Sequence, residues 1–382
     1  MRLWNMEFYK ITARPVMNMG FFLILGFLVL VFYQEIDASR TEIDGKVYQG
    51  MEAIQMDRKL AKEYEGIFTM EKAEEIVDRF GFSGYVGEGT SEEITYEREG
   101  NYCSQFVTDK MTDFMQEDRR PTDFSTGEAW ENYGKYYIMG DVFFAYANGW
   151  KKLVDVWNMG IILLQVWLVL MIAPVFSEEY SRNITGILLS SKHGKSKDIW
   201  TKIGASLSLG GISYLFMVLL LTGMTVAVYG KDGLHASPLL AGDLFWAAGS
   251  RGWTVGGLLP AVFLEGLAAV FLNVCITLFL SSRCRRPVTA VTAGILLFFL
   301  PAGVNQVLFQ MLVSLGAAGS FLGWIFLDIM RISCLSFPIY LPFLESCGVP
   351  MNWLAYVPGI VLVLIGFCTW RAVVNYRDYQ LS

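Results

Sequence analysis

His193-Gly194-Lys195-Ser196-Lys197 ends as a nucleotide-binding loop ends, with Gly194, Lys195 and Ser196 in the last three places of G-x-x-x-x-G-K-[ST]. That motif also needs a glycine at position 189, where Leu189 stands, and a strand ahead of it, where the pattern is helical. The match is fortuitous, and any ATP chemistry belongs to another chain. Asn183-Ile184-Thr185 is a formal glycosylation sequon, irrelevant if it faces the cytoplasm. Six cysteines lack metal-like or paired spacing, and Cys334 and Cys347 stand either as lone thiols or as a pair. His193 and His235 are far apart and have no ligand-like neighbours. These residues assemble no nucleophile, base, cofactor or metal constellation, so the chain reads as a non-enzyme. Glu265 is different. It lies inside LLPAVFLEGLAAVFL, where a carboxylate costs a few kcal/mol unless paired, neutralised or hydrated, and it is a functional candidate for that reason.

The elements that hold these residues are apolar. Of 382 residues 54% are hydrophobic and 17% charged, against roughly 25% charged in soluble domains. Runs at 16–33, 153–175, 203–228, 255–281, 288–309 and 353–370 approach or exceed the ~20 residues of a bilayer-spanning helix. A seventh apolar stretch, 310–327, is rich in glycine and small residues. The fold class expected is an all-α polytopic membrane protein with six transmembrane helices. Within the spans, Asn273, Asn305 and Gln306 suit interhelical hydrogen bonds, and Pro260 and Pro301 suit kinks.

Orientation follows from the loops. Thirteen Lys and Arg fall on one side: Arg2, Lys10, Arg14, Arg182, Lys192, Lys195, Lys197, Lys202, Arg283, Arg285, Arg286, Arg371 and Arg377. The short loops of the other side hold Lys231, Arg251 and Arg331. Positive charge stays inside, so both termini are expected in the cytoplasm of a multi-pass plasma-membrane protein. An even number of crossings then makes 310–352 an outer re-entrant segment rather than a span. Residues 1–15 place Trp4, Phe8 and Ile11 on one face of an interfacial helix, touching lipid, and Pro15 separates it from the first span at 16–33.

Between the first two spans lies an insertion at 34–152, with 25 acidic against 14 basic residues, net −11; the rest of the chain is +5. It is long enough for a mixed, mostly helical extracytoplasmic domain. Ala73, Ile76, Val77 and Phe80 mark one amphipathic helix, and Val107, Met111, Phe114 and Met115 another. Residues 81–93 read as a turn-rich connection. Trp130, Tyr133, Tyr136, Tyr137, Phe143, Phe144, Tyr146 and Trp150 accumulate before the second span, as aromatics do at a membrane–water boundary. The acidic excess fits a solvated face, and nothing invites nucleic acid.

The remaining 153–382 is a five-span core whose basic segment 176–202 carries helix signals. Ser177 suits an N-cap, and Glu178 and Glu179 would then fall in the first turn. Lys192 and His193 suit the last turn, and Gly194 a left-handed stop. Tyr180, Ile184, Ile187 and Leu188 recur at helical spacing, which predicts one amphipathic helix over 178–192.

This pattern resembles the type-2 permease family of ATP-binding-cassette (ABC) transporters, the membrane subunits of mostly bacterial exporters. The likeness rests on six spans with both ends inside, on FSEEYSRNITGILLSSKHGKSKDIWTKI after the second span, and on a Gly-rich segment between the last two. Glu178 or Glu179, Gly186, Leu188-Leu189, Lys195 and Lys202 match the family's acidic residue, glycine, leucine run and basic positions. The large insertion is unlike many members. The resemblance implies a coupling helix, with Glu178, Glu179, Arg182, Gly186, Leu188, Leu189 and Lys195 contacting a cytoplasmic ABC ATPase that binds ATP and Mg itself. It also implies a second permease subunit, alike or different, around a path for a lipid, peptide or drug-like cargo. A mechanotransmitting permease, a sensing or immunity-type membrane protein and a secondary transporter are the alternatives.

Overall fold

The computed structural model describes residues 2–83, 85–86, 97–98, 100–117, 142–191, 194–241, 253–314 and 352–378. It is mostly helical, and five of the six long apolar runs fall within a helix, while 153–175 runs three residues past the end of its helix at Ile172. The six helices are α2 (Pro15–Asp37), α6 (Asn148–Ile172), α9 (Ile199–Tyr229), α10 (Val255–Arg283), α11 (Pro287–Ser314) and α12 (Asn352–Arg377). Five helical stretches are long and apolar enough to cross a membrane: Asn18–Asp37, Asn148–Ser181, Gly194–Tyr229, Val255–Arg283 and Gly359–Arg377. The described apolar part of α11, Pro287–Leu300, is shorter. α11 itself continues to Ser314, so 310–314 extend that helix instead of opening a new segment. The rest of the expected re-entrant segment, with Arg331, Cys334 and Cys347, lies outside the described residues. So do Arg251 and the side chains of Pro301, Asn305 and Gln306. α10 runs through Pro260 as one helix.

The described chain divides into two compact units. One comprises Met1–Leu28, Trp157–Leu220 and Ala261–Ser382. Its centre is α6, 72% of whose apolar window is buried, against 17% for α2. Glycines and small side chains set the approaches. A Cβ on Gly210 of α9 would meet Val274 of α10 at 3.1 Å, and one on Gly294 of α11 would meet Val169 of α6 at 2.7 Å. Asn273 donates to the Gln165 carbonyl at 3.2 Å, the interhelical bond expected of it. Ahead of the bundle, α1 (Arg2–Thr12) is helical and Pro15 occupies the first position of α2, where its missing N–H costs nothing. Trp4 stacks on Phe8 at 5.2 Å, and Ile11 is buried against protein. The apolar side chains α1 leaves exposed are Leu3, Trp4, Met6 and Tyr9.

The second unit comprises Val29–Val156 and Leu221–Pro260, so the insertion is completed by the loop after α9. β1 (Arg40–Ile43) and β2 (Lys46–Gln49) form a hairpin in register Ile43↔Lys46. Asp44 and Gly45 have φ of 53° and 74°, the paired positive values that a two-residue hairpin turn demands. α3 (Gly50–Glu63), α4 (Met70–Phe80) and α5 (Tyr102–Glu117) follow. α4 starts at Thr69, whose hydroxyl accepts from the Lys72 amide, and stops at Gly81 with φ 69°. Ala73 and Ile76 are fully buried, as their spacing predicts. Val107 is buried on α5, while the side chains of Met111, Phe114 and Met115 lie outside the described residues. β3 (Gly66–Ile67) pairs with β6 (Phe143–Phe144), and β4 (Tyr85–Val86) with β5 (Glu97–Arg98).

The aromatic cluster corrects one expectation. Phe144, Tyr146 and Trp150 are buried inside this unit and not displayed at a boundary. Phe144 packs on Phe68 and Phe106 at 5.2 Å each, and the Trp150 indole donates to the Asp232 carbonyl at 2.8 Å. Antiparallel pairing at 143–144 draws these rings inward, where they supply the apolar area a small core needs. Trp130, Tyr133, Tyr136 and Tyr137, and most of 81–93, lie outside the described residues.

Candidate functional site

The segment after the second span is not one helix. α6 ends at Ile172, and Pro174, which has no N–H to offer the α6 ladder, opens α7 (Pro174–Ser181). Ser177 is therefore inside a helix and not its cap, and its hydroxyl donates to the Ala173 carbonyl at 2.7 Å. The cap comes from α10. Ser281 Oγ accepts from the amides of Phe176 at 3.0 Å and Ser177 at 3.2 Å, and donates to the Ala173 carbonyl at 2.6 Å. Capping from another helix leaves no local signature in the sequence. Glu178 and Glu179 consequently sit in the second turn.

Asn183 ends α7 with φ 56°, a conformation asparagine adopts more readily than most residues. α8 (Thr185–Ser190) follows, and Gly194–Asp198 form a π-helical turn that runs into α9. Lys192 and His193 lie outside the described residues. Gly194 is required, but not as a left-handed stop: a Cβ there would sit 1.8 Å from the Leu188 carbonyl oxygen. The predicted stripe also splits. Tyr180 is buried on α7, its hydroxyl donating to the Ser282 carbonyl at 3.0 Å. On α8, Leu189 is buried, Gly186 and Leu188 are half-buried, and Ile187 is 73% exposed. Ile184 and Trp200 are exposed as well, and so are Arg182 and Lys195.

Behind α8 lies a buried ionic knot. Lys202 (0% exposed) donates to Glu179 Oε2 at 2.9 Å and also to Asp198 Oδ2. Glu179 (1% exposed) accepts from Lys10 of α1 at 2.6 Å and from the Tyr376 hydroxyl of α12. Lys202 also donates to Tyr376 Oη at 3.4 Å and lies 5.1 Å from the centre of that ring. Phe176 and Tyr180 close the aromatic wall, at 4.7 and 5.8 Å from Tyr376. Next to Glu179 in sequence, the more exposed Glu178 pairs with Arg14 and with Arg182. Glu7 adjoins the cluster, and burial holds its carboxyl above the usual carboxylate range.

One buried cation, Lys202 of α9, thus meets two buried carboxylates, from α7 and the π turn, with the exposed Lys10 of α1 and the Tyr376 phenol of α12 completing the cluster. Such a cluster is stable only while every member is present, because an orphaned buried charge costs several kcal/mol. It ties α7 and the π turn, on either side of α8, to the short α1 and to the long helices α9 and α12. Lys10 and Lys202 are visible in the sequence as basic residues, but their convergence on Glu179 is not. Asp198 and Tyr376 carry no sequence signal at all.

Glu265 lies elsewhere in this unit, on α10 and half-buried. Beside it, the Tyr214 hydroxyl donates to the Phe263 carbonyl at 2.8 Å and accepts from the Trp157 indole at 3.2 Å. Gly266 permits this packing, since a Cβ there would lie 2.4 Å from the Tyr214 hydroxyl oxygen. Glu265 and the α8 residues are thus not brought together. Among the described residues no group of three or more His, Cys, Asp or Glu is placed to hold a metal ion. No protein-family model, curated protein or solved structure matches the chain.

Proposed function

We propose that this chain is the membrane-spanning permease subunit of an ABC exporter of the type-2 kind, with six spans and both termini in the cytoplasm. ATP and Mg are bound by a separate ATPase, and a second permease subunit completes the path. The observation that carries the reading is the pairing of α8 with the knot behind it. A short helix exposes Ile184 and Ile187 between flanking cations, Arg182 and Lys195. Its base is anchored by Glu179 to Lys10, Lys202 and Tyr376.

An element built this way transmits displacement. Force applied to α8 reaches α9 through Lys202, α12 through Tyr376 and α1 through Lys10, and the Lys202 link resists breaking most, because its loss would strip two buried carboxylates of their buried cation. ATP-driven closure of the ATPase then moves the helices as rigid bodies between inward- and outward-facing states. Ile187 is the docking contact and Leu189 a core residue, so the informative substitution is Ile187→Asp. Expressed with its ATPase, the wild-type chain co-purifies the partner. Ile187→Asp loses it at least ten-fold while the amount of folded chain stays unchanged, since an unpaired charge at an interface costs several kcal/mol. Undiminished co-purification with Ile187→Asp removes α8 from the contact.

A further inference from the structure

Asp57 lies on the buried face of α3 and is 8% exposed. Its Oδ1 accepts from the Thr41 hydroxyl at 2.6 Å and from the Tyr102 amide at 3.2 Å. One carboxyl oxygen therefore joins the β1–β2 hairpin, α3 and the N-terminus of α5. A backbone bond from the Glu42 amide to the Gly100 carbonyl, at 3.3 Å, lies along the same junction.

The titratable groups facing Asp57 are Tyr102 and Cys103 of α5, and Tyr146 after β6. Burial raises all three well above their ordinary values, so each is neutral throughout weak acid and neutral pH. On β1 the alternation of side chains turns Arg40 and Glu42 to the face opposite buried Thr41. Arg58, the next residue on α3, is bonded to Asp232. Among the described groups that face this carboxyl, Asp57 itself is thus the one whose charge changes between pH 4 and 7.

We propose that the Thr41–Asp57–Tyr102 junction is a proton-operated clasp, closed when Asp57 is protonated and loosened when it ionises, which makes the inserted domain a pH-responsive element. The geometry supplies a hinge of three elements on one carboxyl. Burial, which disfavours the ionised form, outweighs the two hydrogen bonds that favour it and pushes the carboxyl from 3.8 up to about 6. The folded junction then binds more protons than the opened one between those values. Its stability is complete below pH 3.8 and declines as pH rises through 6. The clasp concerns the inserted domain alone and does not depend on an ATPase partner.

The test is hydrogen–deuterium exchange of the full-length chain in detergent micelles at pH 4.5 and 7.5, corrected for intrinsic exchange. In the wild type, the opening constant of segments 40–49 and 100–105 is expected to rise roughly 20-fold across that range. Asp57→Asn, which keeps the shape and the acceptor oxygen but cannot ionise, is expected to show equal protection at both pH values. Thr41→Val removes a bond that favours the carboxylate, and should move the wild-type transition to higher pH. Equal pH dependence in wild type and Asp57→Asn overturns the proposal, as does a flat wild-type profile. Should Asp57→Asn not fold, an unmoved transition in Thr41→Val overturns it as well.

Discussion

The knot around Lys202 and the clasp around Asp57 are both buried, yet they meet the cost of burial in opposite ways. At Lys202 charge answers charge. Glu179 and Asp198 neutralise Lys202 and Lys10, and a phenol closes the remaining acceptor. At Asp57 none of the described residues supplies a cation. A hydroxyl and an amide bond the carboxyl, burial shuts out water, and a proton is the cheapest way to neutralise it. The first arrangement is insensitive to moderate pH but intolerant of losing a member. The second tolerates a neutral replacement but responds to pH. A transmitting element needs the first behaviour, and a sensing element the second.

The largest effect that would break this comparison is at Lys202. Lys202→Met strands Asp198 and leaves Glu179 only the exposed Lys10 as a cation, and about 3–5 kcal/mol of stability should disappear, read as a lower unfolding temperature and a fall in folded chain after purification. Changing Lys202→Met, Glu179→Gln and Asp198→Asn together should recover most of it, because a buried ion cluster replaced as a whole is often close to neutral. If the single substitution is as stable as the triple one, the knot holds nothing. The smallest effect is in the hairpin next to the clasp. Gly45→Ala meets no neighbouring atom but must adopt φ near 74°, so it should cost about 1 kcal/mol of local stability. It should raise exchange in 40–49 equally at pH 4.5 and 7.5. A pH-dependent effect of Gly45→Ala would separate hairpin opening from Asp57.

The long helices were legible because runs of ~20 apolar residues have few alternatives, and the α4 face was legible from Ala73 and Ile76 at helical spacing. The α8 region was legible in part. Pro174 breaks the apolar run 153–175, and Asn183 interrupts the stripe of Tyr180, Ile184 and Ile187 whose spacing predicts one helix over 178–192. Gly194 was the right residue for the wrong reason: its lack of a Cβ, not its φ, is what the Leu188 carbonyl requires. The cap by Ser281 and the bond from Tyr376 join residues about one hundred and two hundred positions apart, and no local pattern encodes such pairs. The aromatics at 143–150 misled because composition alone does not separate a membrane-boundary belt from a domain core. Asp57 carried no signal, since an acidic residue on an amphipathic helix is ordinary until its face is known.

The proposed permease function requires Arg182, Lys195 and Lys197 to face the cytoplasm and the β1–β2 hairpin to face the other side. Exposed Lys46 and Lys197 are each replaced by cysteine in a chain whose Cys334 and Cys347 are serine. Intact cells are then treated with a membrane-impermeant maleimide. Labelling at position 46, and protection at position 197 until the membrane is opened, is the predicted result. Labelling of position 197 in intact cells would contradict the account, because no cytoplasmic ATPase could then reach α8.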